Sequence, residues 1–422
     1  MTSPRYRVQG IARHAKTAIQ TAIEAAGESA RTLIEPMSDR EQARTDGGAL
    51  LHTPSRRLPD PPRIVLDGVF FQLQNTGINR VWRALMAHWS ETGFARHIVV
   101  LDRMGTTPRF DGFTYRRMIP FRFHDSLAQR MALEAVCRAE HADLFISTYY
   151  TTPLTTRSLL YVYDMIPELF GFDLDRRPWR EKRRAIEHAS AYVAISNNTA
   201  QDLHRLYPAI GARPLTVAHC AVDPLFGPAD GPGMDALRRD LGLPADYVLF
   251  VGARDVGYKN AALVFDALPL LPAADRPALL CVGGHATLEA EFAGRAAATT
   301  VRVARLTDAQ LAAAYSGAVA LVYPSEYEGF GLPILEAMAC GCPVIACDNS
   351  SITEVAGDAA IYVPEDDPSA LAAAVSRLRD LSTREAYRAR GFARVGRFDW
   401  KRTADDVERF IRDVASRTER ED

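Results

Sequence analysis

The 422-residue chain has no uninterrupted apolar run of the roughly 18 residues that a membrane-spanning helix needs. Its first residues (MTSPRYRVQGIARHAKTA) have no apolar stretch of the kind that secretory leaders carry, so the sequence predicts neither insertion in a membrane nor export by that route. It has little cysteine: six residues, Cys137, Cys220, Cys281, Cys340, Cys342 and Cys347, sit in apolar surroundings without a spacing that suggests a disulfide framework, which points to a reducing compartment. Cys340-Gly-Cys342 is not a CxxC pair and has no second ligand pair, so these thiols read as small core residues and no metal site is expected. There is no excess of charge of either sign, with 50 Lys and Arg against 52 Asp and Glu, which excludes a protein that coats nucleic acid through bulk charge. No GxGxxG follows any predicted strand, which counts against a nicotinamide or flavin dinucleotide fold.

What is present is enough to fold. Apolar residues make up 47% and charged residues 24%, ordinary values for a folded protein, and the length corresponds to two or three domains at about 150 residues each. Val8, Ile11, Ala15, Ile19, Ala22, Ile23 and Ala26 recur at helical spacing, giving an amphipathic helix over about Val8 to Ile34 that either docks on protein or lies on an anionic membrane. Residues 38–62 are polar and rich in Gly and Pro, a linker by composition. Apolar strands then alternate with helix-length segments: RIVLDGVFF, HIVVLD, ADLFIS, LLYVYD and AYVAIS, followed after LFGPADGPGMD by YVLFVGA, ALLCVGG, TVRVARL, VALVYP and CPVIAC. That alternation predicts an α/β protein with two doubly wound parallel sheets. The expected divisions are 1–62 for the N-terminal helix and linker, 63–228 and 229–398 for two Rossmann-like domains, and 399–422 for a last helix that crosses back to the first.

Open parallel sheets bind ligands beyond the carboxyl ends of their strands, which directs attention to three loops. In QLQNTGINR, Gly77 would let backbone come close to a ligand and Arg80 follows near a helix start; an ordinary turn explains this loop as well. GARDVGYKN departs from a P-loop because Tyr258 separates Gly257 from Lys259 and no Ser or Thr follows to hold magnesium. It still offers Arg254 and Lys259 as cations for a diphosphate, or as solvated surface charge. In YPSEYEGFGLPILEAMACGCPVIAC, Pro333 and Gly341 bound a short helix, Gly329 and Gly331 clear its approach, and Glu328 and Glu336 place two carboxylates beside its anion-attracting start. An ionised carboxylate accepts hydrogen bonds from both hydroxyls of a vicinal diol, so this loop suits a sugar.

This last segment, with seven residues between Glu328 and Glu336, resembles the signature of family 4 retaining glycosyltransferases of the GT-B fold (glycosyltransferase group 1), and the overall likeness is to polysaccharide mannosyltransferases. FVGARDVGYKN, LTDAQLAAAYSGAVALVYPS and SSITEVAGDAA join it in family order, and the resemblance covers about Arg63 to Val414. It implies two Rossmann-like domains facing a cleft, a nucleotide-sugar co-substrate (GDP-mannose favoured) in place of a cofactor, and transfer to a glycan or lipid-linked saccharide without a bound metal. Carried onto this chain, it gives Arg254, Lys259 and Glu328 catalytic roles, with the two cations on the donor diphosphate and Glu328 on the transferred sugar. Glu336 takes the ribose hydroxyls, and Gly77, Gly329, Phe330, Gly331 and Leu332 complete the donor site. Acceptor contacts fall to Arg80, Tyr163, Asp164 and Ser196, with Tyr192 nearby; Tyr163-Asp164 stands where many relatives have His-Asp. The expected location is the cytoplasm, either free or peripheral at the inner face of the plasma membrane. A non-catalytic nucleotide-sugar sensor and a sugar-nucleotide epimerase on the same fold are the alternatives, while a phosphorylase is disfavoured by the short chain.

Overall fold

The computed structural model describes residues 62–73, 77–122 and 126–417. The predicted amphipathic helix at Val8 to Ile34 and the linker at 38–62 therefore lie outside the described residues, apart from Pro62.

The first sheet holds β1 (Ile64–Asp67), β2 (Ile98–Arg103), β3 (Thr114–Met118), β4 (Leu144–Ser147), β5 (Ser158–Val162), β6 (Ala191–Ala194) and β7 (Leu215–Val217), in the order β3-β2-β1-β4-β5-β6-β7. The second holds β8 (Tyr247–Val251), β9 (Ala278–Val282), β10 (Val301–Ala304), β11 (Ala320–Tyr323), β12 (Val344–Cys347) and β13 (Ala360–Val363), in the order β10-β9-β8-β11-β12-β13. Every pairing is parallel. Both sheets reverse their order beside their first strand, at β1/β4 and β8/β11, where doubly wound folds open a ligand crevice.

Central strands are buried on both faces, which is why they read as continuous apolar runs. Ile64 to Leu66 in β1, Leu279 to Cys281 in β9 and Val344 to Cys347 in β12 are all at most 1% exposed. The helices that position the site are α1 (Gly77–Thr92), α2 (Leu127–Ala139), α3 (Asn197–Leu206), α4 (Asp308–Gly317), α5 (Leu332–Ala339), α6 (Ser350–Ala356) and α7 (Trp400–Ser416). In α1, Val81, Trp82, Leu85, Met86 and Trp89 form one buried stripe against the first sheet.

The chain passes between the sheets through 218–230, which carries neither strand nor helix. After the second sheet, α7 returns to pack on α1, its Ala404 carbonyl accepting from Trp89 Nε1 at 3.2 Å and Asp405 facing His88 at 2.6 Å. Arg157, ahead of β5, donates to the Val414 carbonyl at the far end of α7. The six cysteines are all buried and unpaired, and burial pushes each thiol up, Cys281 to about 12. No described helix is long and apolar enough to cross a membrane.

Candidate functional site

The loop between β11 and α5 is built around glycine geometry. Gly331 adopts φ +108°, a left-handed conformation that a side chain would resist, and it serves as the N-cap of α5 with Pro333 in the first turn. Gly341, at φ +74°, follows the helix end. Ser351 Oγ holds the loop from below, donating to the carbonyls of Glu328 and Phe330 at 2.8 and 2.9 Å, while Ser350 Oγ accepts from the Glu328 amide.

Lys259 ends the short turn after β8 and donates to Glu328 Oε1 at 2.6 Å, with its ammonium over the rings of Tyr258 and Tyr323 at 5.4 and 5.7 Å. Lys259 and Glu328 keep 19% and 10% of their side-chain surface exposed, so both can be reached from the cleft. Glu336, one turn into α5, is more deeply set. Its carboxylate accepts from Tyr315 Oη at 3.1 Å on one oxygen and from Arg80 on the other. Burial raises the Glu336 pKa above the usual carboxylate value, and the Arg80 charge opposes that rise without cancelling it. Arg80 belongs to α1 of the first half and bridges the cleft, its second nitrogen reaching Asp308 at the start of α4 at 2.6 Å.

Gly77 opens α1, and a Cβ placed on it would meet Leu332 at 3.4 Å, an ordinary contact, so protein packing does not demand glycine there. Gly329 is different. A Cβ there would fall 1.8 Å from the Tyr163 carbonyl oxygen, and its own carbonyl accepts from Ser196 Oγ at 2.7 Å and Thr199 Oγ1 at 3.1 Å. The glycine expected to admit a ligand thus also lets the two halves touch. Beside it, Glu354 of α6 accepts from the amides of Asn197 and Asn198 at the start of α3 and from His219. Burial would raise the Glu354 pKa, but these bonds outweigh it and hold the carboxyl low.

Five expected site residues, Arg254, Tyr163, Ser196, Tyr192 and Phe330, are buried in the interior of the protein. Arg254 is fully buried: it forks onto Glu289 at 2.8 and 3.0 Å and donates to the carbonyls of Gly283, His285 and Thr287, so its donors are spent inside the second half rather than turned to a diphosphate. Tyr163 lies in the core, donating to the Thr148 carbonyl and accepting from Trp82 Nε1 at 2.6 Å. Ser196 caps α3 and holds Gly329, and Tyr192 donates to the carbonyls of Ile186 and Ala189. Asp164 remains partly exposed, accepting from the Ile166 amide. Phe330 is buried edge-on against Phe398 at 5.8 Å. Asp255, His285 and Glu289 offer ligand atoms within 4.8 Å of one another, but both Glu289 oxygens are taken by the Arg254 fork. Sequence reasoning missed Tyr315 and Asp308 as partners of the site. Their spacing of seven on one helix, two turns and one face, was the available signal.

Two Rossmann-like parallel sheets that face each other constitute the GT-B architecture. Sucrose-phosphate synthase from Thermosynechococcus elongatus superposes with a TM-score of 0.65 at 22% identity, over 84% of this chain and 99% of that one. Residues 75–225 match the profile described as Glycosyltransferase Family 4, and residues 245–380 the one described as Glycosyl transferases group 1. Among curated relatives, the phosphatidyl-myo-inositol mannosyltransferase of Mycobacterium leprae is 30% identical over 302 residues, covering 69% of this chain and 73% of that protein. The O-antigen chain mannosyltransferase B of Escherichia coli is 29% identical over 243 residues, covering 56% of this chain and 64% of that protein, just under two thirds of its length. The chain belongs to the family 4, group 1 glycosyltransferases.

Proposed function

We propose that the protein transfers a hexosyl group from a nucleoside diphosphate sugar to a hydroxyl of a glycan or lipid-linked saccharide, with retention of anomeric configuration. The observation that carries this reading is the pair of carboxylates on the β11–α5 segment, each holding a cation that a donor can take over. Lys259, paired with Glu328, stands where charge on a departing diphosphate would be neutralised, and such charge stabilisation is the main catalytic demand as the anomeric carbon becomes oxocarbenium-like. Once Lys259 turns to phosphate, Glu328 is released to accept from hydroxyls of the transferred sugar. Glu336, held by Tyr315, receives the ribose diol, and Arg80, displaced from it, meets the phosphates from across the cleft. Gly77, where packing leaves room beside Leu332, admits the donor's backbone contacts together with the amides of Gly329 to Leu332.

The leaving phosphate oxygen takes the acceptor's proton on the same face, so no protein base is assigned. Asp164, partly exposed and beside Gly329, is the acceptor contact we retain. Mannose from GDP-mannose is the favoured donor, supported by the mannosyltransferase names of the relatives from Escherichia coli and Mycobacterium leprae. The setting is polysaccharide assembly at the inner face of the plasma membrane.

A screen of nucleotide sugars for donor hydrolysis, run with EDTA, tests the reading. Turnover of GDP-mannose with the α-anomer as first product by NMR is expected. An inverted product, or activity abolished by chelation and restored by magnesium or manganese, would refute the mechanism.

A further inference from the structure

Lys182, in the helix Trp179–His188, is buried to 1% side-chain exposure, and no step of the proposed reaction uses it. Its ammonium donates to Glu168 Oε2 at 2.7 Å and to the Asp164 carbonyl at 2.8 Å, and it stands 3.6 Å from Asp164 Oδ1. Glu168 is buried as well, and its other oxygen accepts from Tyr207 Oη at 3.0 Å. Asp164 keeps 27% of its side-chain surface exposed, while its Oδ1 accepts from the Ile166 amide at 3.0 Å. One cation therefore serves two carboxylates, which leaves a negative charge on the exposed member.

Stability does not call for a lysine here, because a buried ion pair replaced by apolar groups of similar volume is often as stable or more so. What an apolar side chain cannot do is bond the Asp164 carbonyl and set a positive charge beside the Asp164 carboxylate, which favours the ionised form. Asp164 stands where the two halves meet. A Cβ on Gly329, the residue after Glu328, would lie 3.1 Å from Asp164 Cβ. Phe170, further along the same segment, packs against Tyr258 of the second half at 5.5 Å, and burial, followed by the charges of Glu328 and Asp164, pushes the Tyr258 hydroxyl up. The lysine thus fixes, from inside the first half, a carboxylate that shares its surroundings with Glu328.

We propose that Lys182 is a positioning residue, which holds the Asp164 carboxylate ionised and aimed so that it accepts from a hydroxyl of an uncharged pyranoside acceptor. The negative charge left on Asp164 suits a hydroxyl donor and repels a phosphate, which is what makes the acceptor unit a neutral sugar. The proposal rests on the proposed function and adds to it the buried group that orders the acceptor contact.

The test follows GDP-mannose turnover by the full chain with methyl α-mannopyranoside as acceptor, for the wild type, Glu168→Gln, Glu168→Gln/Lys182→Met, Asp164→Asn and the three substitutions together. The double variant leaves neither member of the Lys182–Glu168 pair charged and alone, and a donor KM at the wild-type level shows its fold intact. Its acceptor KM should rise about tenfold or more, as orientation of the acceptor is lost. Glu168→Gln alone keeps the lysine on Asp164 and should stay within about twofold of wild type. In the Asp164→Asn background the double substitution should add no more than about twofold, because a lysine that acts through Asp164 has nothing left to act through. A double variant with the wild-type acceptor KM, a rise in Glu168→Gln as large as in the double variant, or a full further rise on top of Asp164→Asn would each overturn the role, the last by marking it as packing. A wild type that hydrolyses GDP-mannose and transfers nothing to the mannoside would overturn the pyranoside assignment at Asp164. A wild type that turns over no nucleotide sugar would instead refute the transferase reading, and the role with it.

Discussion

Apart from the Arg254–Glu289 fork of the second half, the two sheets differ in how the charges at their strand ends are satisfied. In the first half, Asp67 at the end of β1 is fully buried and forked by Arg103 at the end of β2 at 2.7 and 2.8 Å, with Thr151 Oγ1 adding a third bond and the Ile119 carbonyl accepting from the arginine. Glu134 in α2 accepts from the amides of Leu154, Thr155 and Thr156 and from two threonine hydroxyls. These groups are finished within their own half. In the second half, Lys259 has Glu328 and remains open to the cleft, while Glu336 is completed only by an arginine from the other half. Self-satisfied charge hardens a scaffold, whereas charge satisfied by a displaceable partner prepares a site.

The sharpest way to break the comparison is to unpair the first half. Arg103→Met leaves Asp67 buried and charged, and urea denaturation should show a loss of about 3–5 kcal/mol, most of it recovered in Asp67→Leu/Arg103→Met. Next in size, Lys259→Ala should leave the denaturation midpoint nearly unchanged and cut kcat for donor hydrolysis by roughly a hundredfold or more, because on the proposed mechanism the charge it meets grows toward the transition state.

The two buried glutamates should then respond in opposite senses. Burial pushes the Glu134 carboxyl up, but the Thr155 and Thr156 bonds outweigh it and hold it far below the usual range. Its contribution is therefore complete above the ordinary value of about 4.3 and drains away as pH falls toward the folded value. Glu134→Gln should cost about 1–3 kcal/mol at neutral pH by leaving donors unmatched, and should flatten the acid limb of a stability profile. Glu336 is raised instead, so the folded chain holds that proton to higher pH than the unfolded chain, and its charge weighs against folding as pH climbs through that interval. Glu336→Gln should melt no lower than wild type at neutral pH while raising donor KM. The smallest effect expected is that of Tyr315→Phe, which removes one bond to Glu336 worth about 1 kcal/mol and should appear as a few-fold higher donor KM with kcat unchanged.

The interior of the fold was legible because strands buried on both faces cannot hide their composition. Three of the four edge strands were not: TYRRM of β3 and LTV of β7 are partly exposed and show no long apolar run, and AIYV of β13 is apolar but only four residues long, whereas the fourth, β10, lies within the predicted TVRVARL. The cation–carboxylate pairings were harder still. Nothing local in TGINR announces that Arg80 spans to Glu336, 256 positions away, and Arg254 and Lys259 look equivalent in sequence. What separates those two is Glu289, 35 residues beyond Arg254, which claims the guanidinium and removes it from the cleft. Tyr163 likewise could be placed only once Trp82 was seen to reach it from α1.

The return of α7 has a consequence for how the protein is made. Ala404, Val407, Ile411 and Val414 cover the flank of α1 that carries Trp89, yet they leave the ribosome only after all of β8 to β13. For that whole interval the nascent first half has a bare apolar face, and its sheet, formed first, waits for a helix encoded on the far side of another domain. Chaperone capture should concentrate in this window, and nascent chains arrested before Trp400 should be more sensitive to protease at α1 than chains arrested past Val414.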